Sequence, residues 1–517
     1  MALGVQTDQD QRRGTLVPED TNSQMDTLTL SPMRKELYFL TLIYGASVTG
    51  VVGPLLVPAF SIVAASFDVE LTQVALLNGT LVMTLGASAY LCAPVAEIYG
   101  RRIVYLVTSL MMVVGCIWSS YARTYASLLG SRAFQGLGMG GFFSLAGTVS
   151  INDVFLVYER GRRAGIWNFA VIVSVNIAPV ISGYVITALG WQWAFRILAV
   201  AFAVAFVLVL LFVPETLLYR STIQGREELH TASSDAAARK QDIDLEMTLT
   251  QPTDSPSTGV VHKDKNTPGA FETTTSAWRA LIGVPKHSYQ GSTHLVGILL
   301  APFKLLLNPI VIWACAMWSV AFSWVIIQGA VADQIFGASP YNLNATSIGI
   351  LIGVPPLIGS AFGTILGGYS CDVLARTMAA RNNGVYESEF RLPVLIPGTV
   401  TTAIGAYGLG IVLGAGSSVW ASAVLLGCLN FGVGMSCTVI VAYTNDACQH
   451  KTAEAFGMAM LIKSAFAFGL TFMLNDYYAT HGASIFFFTW ASLTTGISIL
   501  TIPLYIYGKR VRGCIEL

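Results

Sequence analysis

The sequence is poor in charge. Only 11% of its residues are Asp, Glu, Lys or Arg, whereas 54% are hydrophobic, and an ordinary soluble domain carries roughly 25% charged residues. Lys and Arg balance Asp and Glu at 29 each, so no excess of one sign points to nucleic acid as a partner. Most of the surface is therefore expected to contact a lipid bilayer rather than water.

The usual marks of enzymes and secreted proteins are also missing. No Gly-x-x-x-x-Gly-Lys-Ser/Thr stretch is present, which argues against ATP as an energy source. There is no His/Cys metal spacing and no convincing nucleophile triad, so we expect no enzyme activity, no metal and no cofactor. The eight cysteines lie in apolar segments or in segments assigned to the cytosol, where disulfides are not expected. The polar N-terminus shows no cleavable signal peptide.

What the sequence does contain is a series of long apolar stretches. A bilayer core takes about 20 apolar residues per helix, and twelve stretches meet that length. Fifteen Lys and Arg residues lie near the span ends of one side, against two or three near those of the other. The positive-inside rule then places both termini and the central segment in the cytosol. The predicted spans are 40–63, 74–95, 103–121, 128–151, 164–189, 193–213, 310–330, 348–369, 392–413, 420–443, 455–474 and 483–507.

The spans divide six and six around a polar central segment. Residues 1–36 are predicted to be a disordered cytosolic tail, and residues 37–214 a six-helix bundle. Residues 215–304 form a cytosolic linker whose Ser, Thr, Asp, Lys and Gln content is typical of a flexible tether. A second bundle over 305–508 and a cytosolic tail over 509–517 complete the chain.

A short charged loop after the second span recurs in the second half. Ala93 stands four positions before Glu97, and Gly100, Arg101 and Arg102 follow. In the distorted copy, Gly368 stands four positions before Asp372, with Arg376 and Arg381 after it. A repeat of this size between spans is typical of a secondary transporter with two similar halves. The predicted fold is an all-α membrane protein with twelve transmembrane helices in two pseudo-symmetric six-helix bundles.

These motifs resemble those of the major facilitator superfamily, and specifically the fungal drug:proton antiporter group with twelve spans. The loop at Glu97 matches the first-loop motif of that superfamily, with Ala93 for the usual Gly and Glu97 for the usual Asp. Ala178-Pro179-Val180-Ile181-Ser182-Gly183 is similar to the exporter motif Gly-Pro-x-x-Gly-Gly, although two glycines are replaced. Further matches are Arg132-Ala-Phe-Gln135-Gly136-Leu-Gly138, Pro214-Glu215-Thr216, the run 381–392 and Asn475-Asp476.

The acids of the repeated loops are candidate latches between the bundles. An acid at a span end can meet the positive N-terminus of a neighbouring helix, at about 0.3–2 kcal/mol per contact. The resemblance implies that Glu97 contacts the start of span eleven and Asp372 the region of span five. A plain topogenic charge cluster is the alternative. The gating candidates are Glu97, Gly100, Arg101, Arg102, Asp372 and Arg376.

Two positive charges fall inside spans. Arg132 lies in span four, and the resemblance assigns it a part in proton transfer, with snorkelling to the interface as the alternative. Lys463 lies near the middle of span eleven with Phe466 on the same helix face, which favours an anionic or aromatic substrate. A purely structural role in helix packing is the alternative for Lys463.

The remaining site candidates follow from polar or aromatic side chains in spans. No acid lies in the middle of a span, and Asp333 falls at the outer end of span seven. The candidates for proton coupling are Arg132, Asp153 and Asp446. The substrate-cavity candidates are Gln135, Met139, Asn176, Pro179, Trp324, Gln328, Asn430, Lys463 and Phe466. Asn344, in an Asn-x-Thr triplet of a predicted outer loop, is a glycosylation candidate.

The predicted function is export of small amphipathic or aromatic molecules by alternating access, with protons as the coupling ion. The alternatives are an uptake symporter or uniporter for a nutrient such as a vitamin or polyamine and, more remotely, a transporter-like sensor. The chain is expected to be a multi-pass monomer of the plasma membrane or the vacuolar membrane, with a small-molecule substrate and no nucleic-acid partner.

Overall fold

The computed structural model describes residues 31–146, 150–155, 157–214, 302–303, 305–448 and 452–513. Residues 1–30 of the predicted tail, nearly all of the predicted linker and residues 514–517 lie outside this part. Most of the described residues are helical, and none of them forms a strand. Eleven helices in them are long and apolar enough to cross a membrane.

The N-terminal half begins with an interrupted span. Helix α1 (Pro32–Val52) and helix α2 (Phe60–Phe67) are joined by a 3₁₀ helix, Pro54–Ala59, because Pro54 and Pro58 cannot donate the N–H bonds of a continuous α-helix. The other helices of this half are α3 (Leu71–Tyr99), α4 (Arg101–Ser120), α5 (Tyr125–Ser144), the short α6 (Ile151–Val154), α7 (Val157–Leu189) and α8 (Trp191–Phe212).

Helix α5, which corresponds to the predicted span four, is not among these eleven helices, and its 20 residues include Arg132, Gln135 and several glycines. A Cβ added at Gly136 would lie 1.9 Å from Thr84 Oγ1 of α3, and one at Gly138 would lie 2.8 Å from Met112 Sδ of α4. Since protein rather than lipid surrounds these faces, the helix can carry polar residues. It ends at Ser144, earlier than the predicted limit of 151, and residues 151–154 belong to the separate helix α6.

The C-terminal half repeats the six-helix arrangement. Its twelfth predicted span starts where the chain breaks at Gly482, whose φ of 73° interrupts helix α14. The last helix continues to Gly513, past the predicted bundle limit of 508. The helices are α9 (Pro309–Phe336), α10 (Ala345–Arg381), α11 (Leu395–Gly414), α12 (Val419–Ala447), α13 (Thr452–Thr471), α14 (Leu474–Ile499) and α15 (Thr501–Gly513), with a 3₁₀ helix, Ser388–Val394, before α11.

The two bundles meet through pseudo-symmetric pairs of helices, the predicted spans two with eleven and five with eight. Helix α3 packs on α13 and helix α7 packs on α10, while α9 contacts the 3₁₀ helix of the first span. Small residues bring the helices together: a Cβ at Gly86 would lie 2.4 Å from Ser464 Cβ, and one at Gly349 would lie 2.3 Å from the Pro179 carbonyl oxygen. The predicted fold of two six-helix bundles is confirmed.

The helices run between two ends of the molecule, which are named here by an acid. The Asp333 face carries Ser61, Thr72, Thr187, Asp333, Thr346 and Asp476. The Asp372 face, at the opposite end, carries Glu36, Arg163, Asp372, Arg391 and Asp446.

Candidate functional site

Hydrogen bonds between the bundles close the Asp333 face. They come from three helix pairs, so the N-terminal and C-terminal bundles are tied at several points around this end. In the middle of the α7–α10 pair, Asn176 Nδ2 lies 3.3 Å from Ser360 Oγ. The contacts at the face are Ser61 N to Asp333 Oδ2 at 2.5 Å, Thr72 Oγ1 to Asp476 Oδ1 at 2.8 Å, and Thr187 Oγ1 to Thr346 Oγ1 at 3.1 Å.

Asp333 is the buried acid of this face. Its residue is 6% exposed, and its carboxylate accepts the backbone N–H of Ser61 in the first turn of α2. A carboxylate is stabilised there by the positive end of the helix. The sequence places Asp333 at a span end but assigns it no role, because no residue pattern marks a backbone donor from a helix of the other bundle.

We expect Asp333→Asn to weaken the closure of the Asp333 face by about 1–2 kcal/mol, because hydrogen bonds to charged acceptors stabilise more than neutral ones. The amide keeps the size of the side chain, and its oxygen can still accept the Ser61 N–H. A reporter cysteine in place of Thr187 should therefore react faster with a maleimide in the Asp333→Asn background.

Asp476→Asn is the matched control for Asp333→Asn. Asp476 also bonds across the bundles, to Thr72, but it is exposed. An exposed contact of this kind contributes little, so the reporter cysteine should react as in the parent. Equal labelling rates in Asp333→Asn and in the parent would show that the Asp333 bond does not hold this face closed.

Arg391 ties helix ends together at the Asp372 face. Its Nε donates to Asp446 Oδ2 at 2.7 Å, and its Nη1 donates to Asp372 Oδ1 at 3.2 Å. The Tyr386 hydroxyl also donates to Asp446. Burial raises the pKa of Tyr386, and the bond to Asp446 adds to the rise, so this hydroxyl stays protonated. All four groups belong to the C-terminal bundle, so this cluster holds α10 and α12 to the 3₁₀ helix between them.

The predicted latch residues of the first half lie around the sharp α3–α4 turn. Gly100 has a φ of 97°, which L-residues with a side chain rarely adopt. Arg101 is buried, and Arg102 Nη2 donates to the Leu210 carbonyl of α8 at 2.9 Å. Glu97 lies in the last turn of α3, but its side chain is outside the described part.

The predicted contacts of these acids across the bundles stay predictions. Asp372 contacts Arg391 of its own bundle, and Arg376 is exposed on α10. Asp153 lies in α6, and its side chain falls outside the described part.

Arg132 is enclosed completely by the N-terminal bundle. It is 0% exposed, and its Nη1 donates to the Val52 carbonyl and to Gln135 Oε1, both at 3.1 Å. Its guanidinium lies 4.8 Å from the centre of the Phe195 ring. Among the described residues, no carboxylate lies within ion-pair distance of it. Arg132 therefore joins α1, α5 and α8 without an acid to neutralise it.

Gln135 extends this network to α4. Its Nε2 donates to the Gly115 carbonyl at 3.0 Å and to Ser119 Oγ at 2.8 Å. Each hydrogen-bonding end of the amide is therefore used within the N-terminal bundle. Gln135 and Met139 are both almost fully buried, at 0% and 3% exposed, so their predicted role in the substrate cavity stays a prediction.

Lys463 is the buried charge of the C-terminal bundle. It is 7% exposed, and its ammonium lies 4.3 Å from the centre of the Phe322 ring and 4.8 Å from that of Trp318. In the described part of the chain, no acid or hydrogen-bond acceptor is paired with it. An ammonium at the centre of a span costs at least ~2.5 kcal/mol, which two desolvated cation–π contacts of about 2 kcal/mol each can offset.

The other cavity candidates separate into contacts within and between bundles. Asn430 Nδ2 donates to Gln328 Oε1 at 3.0 Å, which joins α12 to α9. Trp324 is 0% exposed and donates to Thr494 Oγ1 at 3.1 Å, inside the C-terminal bundle. Pro179 and Asn176 lie where α7 contacts α10. Phe466 is half-buried on α13.

Asn344 caps a helix. Its Oδ1 accepts the backbone N–H of Ser347 at 2.8 Å at the start of α10, and the residue is exposed. Its glycosylation stays a prediction.

Comparisons with known proteins agree with this architecture. The family model described as Major Facilitator Superfamily matches residues 37–471. An uncharacterized MFS-type transporter of Schizosaccharomyces pombe is 25% identical over 96% of this chain and 88% of the relative. "Probable efflux pump mfs2" of Aspergillus flavus is 21% identical over 89% of this chain and 99% of the pump. The crystal structure of a D-xylose–proton symporter is 13% identical, with a TM-score of 0.61 over 90% of this chain and 97% of the symporter, and so shares the fold.

Proposed function

We propose that this chain, which belongs to the Major Facilitator Superfamily, exports small amphipathic or aromatic organic molecules, such as drugs or secondary metabolites, in exchange for protons. The chain is a multi-pass integral membrane transporter and not an enzyme. Its substrate, the coupling to protons and the direction of transport belong to the proposal.

The observation that carries the proposal is the position of the exporter-like motif in α7. Pro179 and Gly183 of this motif lie against the first turns of α10: a Cβ at Gly349 would lie 2.3 Å from the Pro179 carbonyl oxygen, and one at Gly183 would lie 2.8 Å from the Ala345 carbonyl oxygen. The motif is therefore part of the closed contact between the bundles at the Asp333 face. The relative named as an efflux pump supports export as the direction.

Proton coupling is supported by the network around Arg132 and Gln135. The charge is held between α1, α5 and α8 without a described acid partner, so a change in protonation nearby would act on three helices at once. Asp153 and Asp446 remain coupling candidates. Asp446 is held by Arg391 and Tyr386 at the Asp372 face.

The charge distribution supports a cytosolic Asp372 face and an outer Asp333 face. Lys and Arg gather at the span ends of the Asp372 face, as the positive-inside rule requires for cytosolic loops. Both termini would then be cytosolic, and the plasma membrane is our first choice over the vacuolar membrane. The closed contacts then leave the Asp333 face shut toward the outside.

Transport in proteoliposomes tests the proposal with 2-naphthamide, which is aromatic and neutral, so passive pH partition does not mimic transport. We expect vesicles that are acidic inside to accumulate the probe faster than vesicles without a pH gradient, because outward protons drive inward probe in an antiporter. Protein-free vesicles give the background.

The sign of the gradient separates antiport from symport. Accumulation driven by an acidic outside would contradict antiport and support the uptake symporter instead. A rate of accumulation that is the same with either sign of the pH gradient and without a gradient would support a uniporter. Either result would overturn proton-driven export.

A further inference from the structure

Lys463 stands where the two bundles meet. Its neighbour Ser464 packs on α3 of the other bundle, since a Cβ at Gly86 would lie 2.4 Å from Ser464 Cβ and 3.1 Å from the Met460 carbonyl oxygen. Lys463 lies about 100° away from Ser464 around helix α13. Its ammonium therefore lies away from the α3 contact and beside Trp318 and Phe322 of α9.

The two buried positive charges differ in how they are enclosed. Arg132 is 0% exposed and uses hydrogen bonds to Val52 and Gln135. Lys463 keeps 7% exposure, and its ammonium lies beside the rings of Trp318 and Phe322 and close enough to the Cys437 thiol to interact with it electrostatically. Among the described groups, no hydrogen bond uses the N–H donors of this ammonium, which an oxygen anion can accept.

The charges around Lys463 also favour an anionic ligand. The described acids lie toward the ends of the molecule, among them Asp333 and Asp476 at one face and Asp372, Asp446, Glu389 and Glu454 at the other. The buried charges at intermediate depth, Arg132 and Lys463, are both positive. The ammonium of Lys463 therefore attracts anions and repels cations at this depth.

We propose that Lys463, with the rings of Trp318 and Phe322, binds the anionic group of an aromatic substrate. The carboxylate, phenolate or sulfonate of the ligand accepts hydrogen bonds from the ammonium, and its ring packs on the aromatic side chains that hold Lys463 in place. This inference rests on the proposed function and adds the substrate class: anionic aromatic molecules rather than cationic ones.

Binding of three probes of equal ring size tests the charge preference without any pH gradient. The probes are 2-naphthoate, 2-naphthamide and 2-naphthylmethylammonium, titrated calorimetrically into the full-length protein in nanodiscs. We expect 2-naphthoate to bind about tenfold more tightly than 2-naphthamide, since the carboxylate adds an opposite charge to the hydrogen bond that the ammonium donates to either probe. The cationic probe should bind most weakly.

Variants of Lys463 assign the preference to this residue. Lys463→Met keeps the length and removes the charge, so the affinity ratio of carboxylate to amide should fall to about one. Lys463→Arg should retain the preference for the carboxylate. Lys35→Met, which removes a lysine at the Asp372 end of α1, should leave the ratio unchanged. Retained binding of 2-naphthamide shows that a variant is folded.

Each outcome decides between the inferences. A parent protein that binds carboxylate and amide equally, or prefers the cation, overturns the anionic class but leaves an exporter of aromatic molecules standing. A carboxylate preference that persists in Lys463→Met places the anion elsewhere and overturns the role of Lys463. Failure of all three probes to bind overturns both the anionic site and the aromatic substrate class.

Discussion

Replacing Arg132 by lysine is expected to reduce pH-driven transport about tenfold or more while the protein stays folded. Arg132 Nη1 bonds to both Val52 and Gln135, and the planar guanidinium lies on the Phe195 ring. Lysine keeps the charge but cannot reproduce this planar geometry, and each lost hydrogen bond to a charged group costs about 1.5–3 kcal/mol. The charge would no longer couple α1, α5 and α8.

The measurement compares pH-driven accumulation of 2-naphthamide with its binding to the same variant. Binding should be nearly unchanged, because Arg132 is 0% exposed and is enclosed within the N-terminal bundle. Arg196→Lys is the matched control: Arg196 also lies over an aromatic ring, that of Trp193 at 4.8 Å, but near a helix end. Transport by Arg132→Lys at the parent rate would show that Arg132 is a structural residue only.

The span pattern could be predicted because bilayer thickness imposes a length that the sequence must meet. The break of the first span is likewise a local effect, because Pro54 and Pro58 have no backbone N–H to donate. Helix α5 was recognisable despite its polar residues because its length and glycines, together with the motif at Arg132, indicate a buried span. These features depend on neighbouring residues or on one helix at a time.

The closure of the Asp333 face depends on residues far apart in the chain and could not be predicted in this way. The Ser61 N–H that meets Asp333 is a backbone group, available at every non-proline residue. The sequence therefore identifies the acid but not its partner. The sequence likewise placed Gln135 on a helix face but did not indicate that its amide bonds to α4 and to Arg132. Its place in a substrate cavity stays a prediction. The hydrogen-bond partners of Asp333 and of Gln135 both depend on which helices pack together.

Replacing Gly349 by leucine is expected to prevent closure of the Asp333 face and to abolish most transport. A Cβ at this position would lie 2.3 Å from the Pro179 carbonyl oxygen, closer than any real contact allows, and the clash is with backbone of the other bundle. Overpacking costs about 1–3 kcal/mol, which shifts a two-state balance by about 5- to 150-fold. Since each bundle keeps its own contacts, the bundles should separate at this face rather than unfold.

Two further glycine variants serve as controls for Gly349→Leu. One shows the effect of a clash inside a bundle on folding, and the other shows the effect of a larger side chain without a clash. At Gly359, on the same helix, an added Cβ would lie 2.0 Å from the Gly427 carbonyl oxygen inside the C-terminal bundle, so Gly359→Leu should reduce the amount of folded protein. At Gly496 nothing lies within 4 Å of an added Cβ, so Gly496→Leu should transport as the parent does. Gly349→Leu should accumulate normally in the membrane, and a reporter cysteine in place of Thr187 should react faster in it. If Gly349→Leu transports at the parent rate, the transport cycle does not require the α7–α10 contact. The packing of the exporter-like motif on α10 would then have no role in transport.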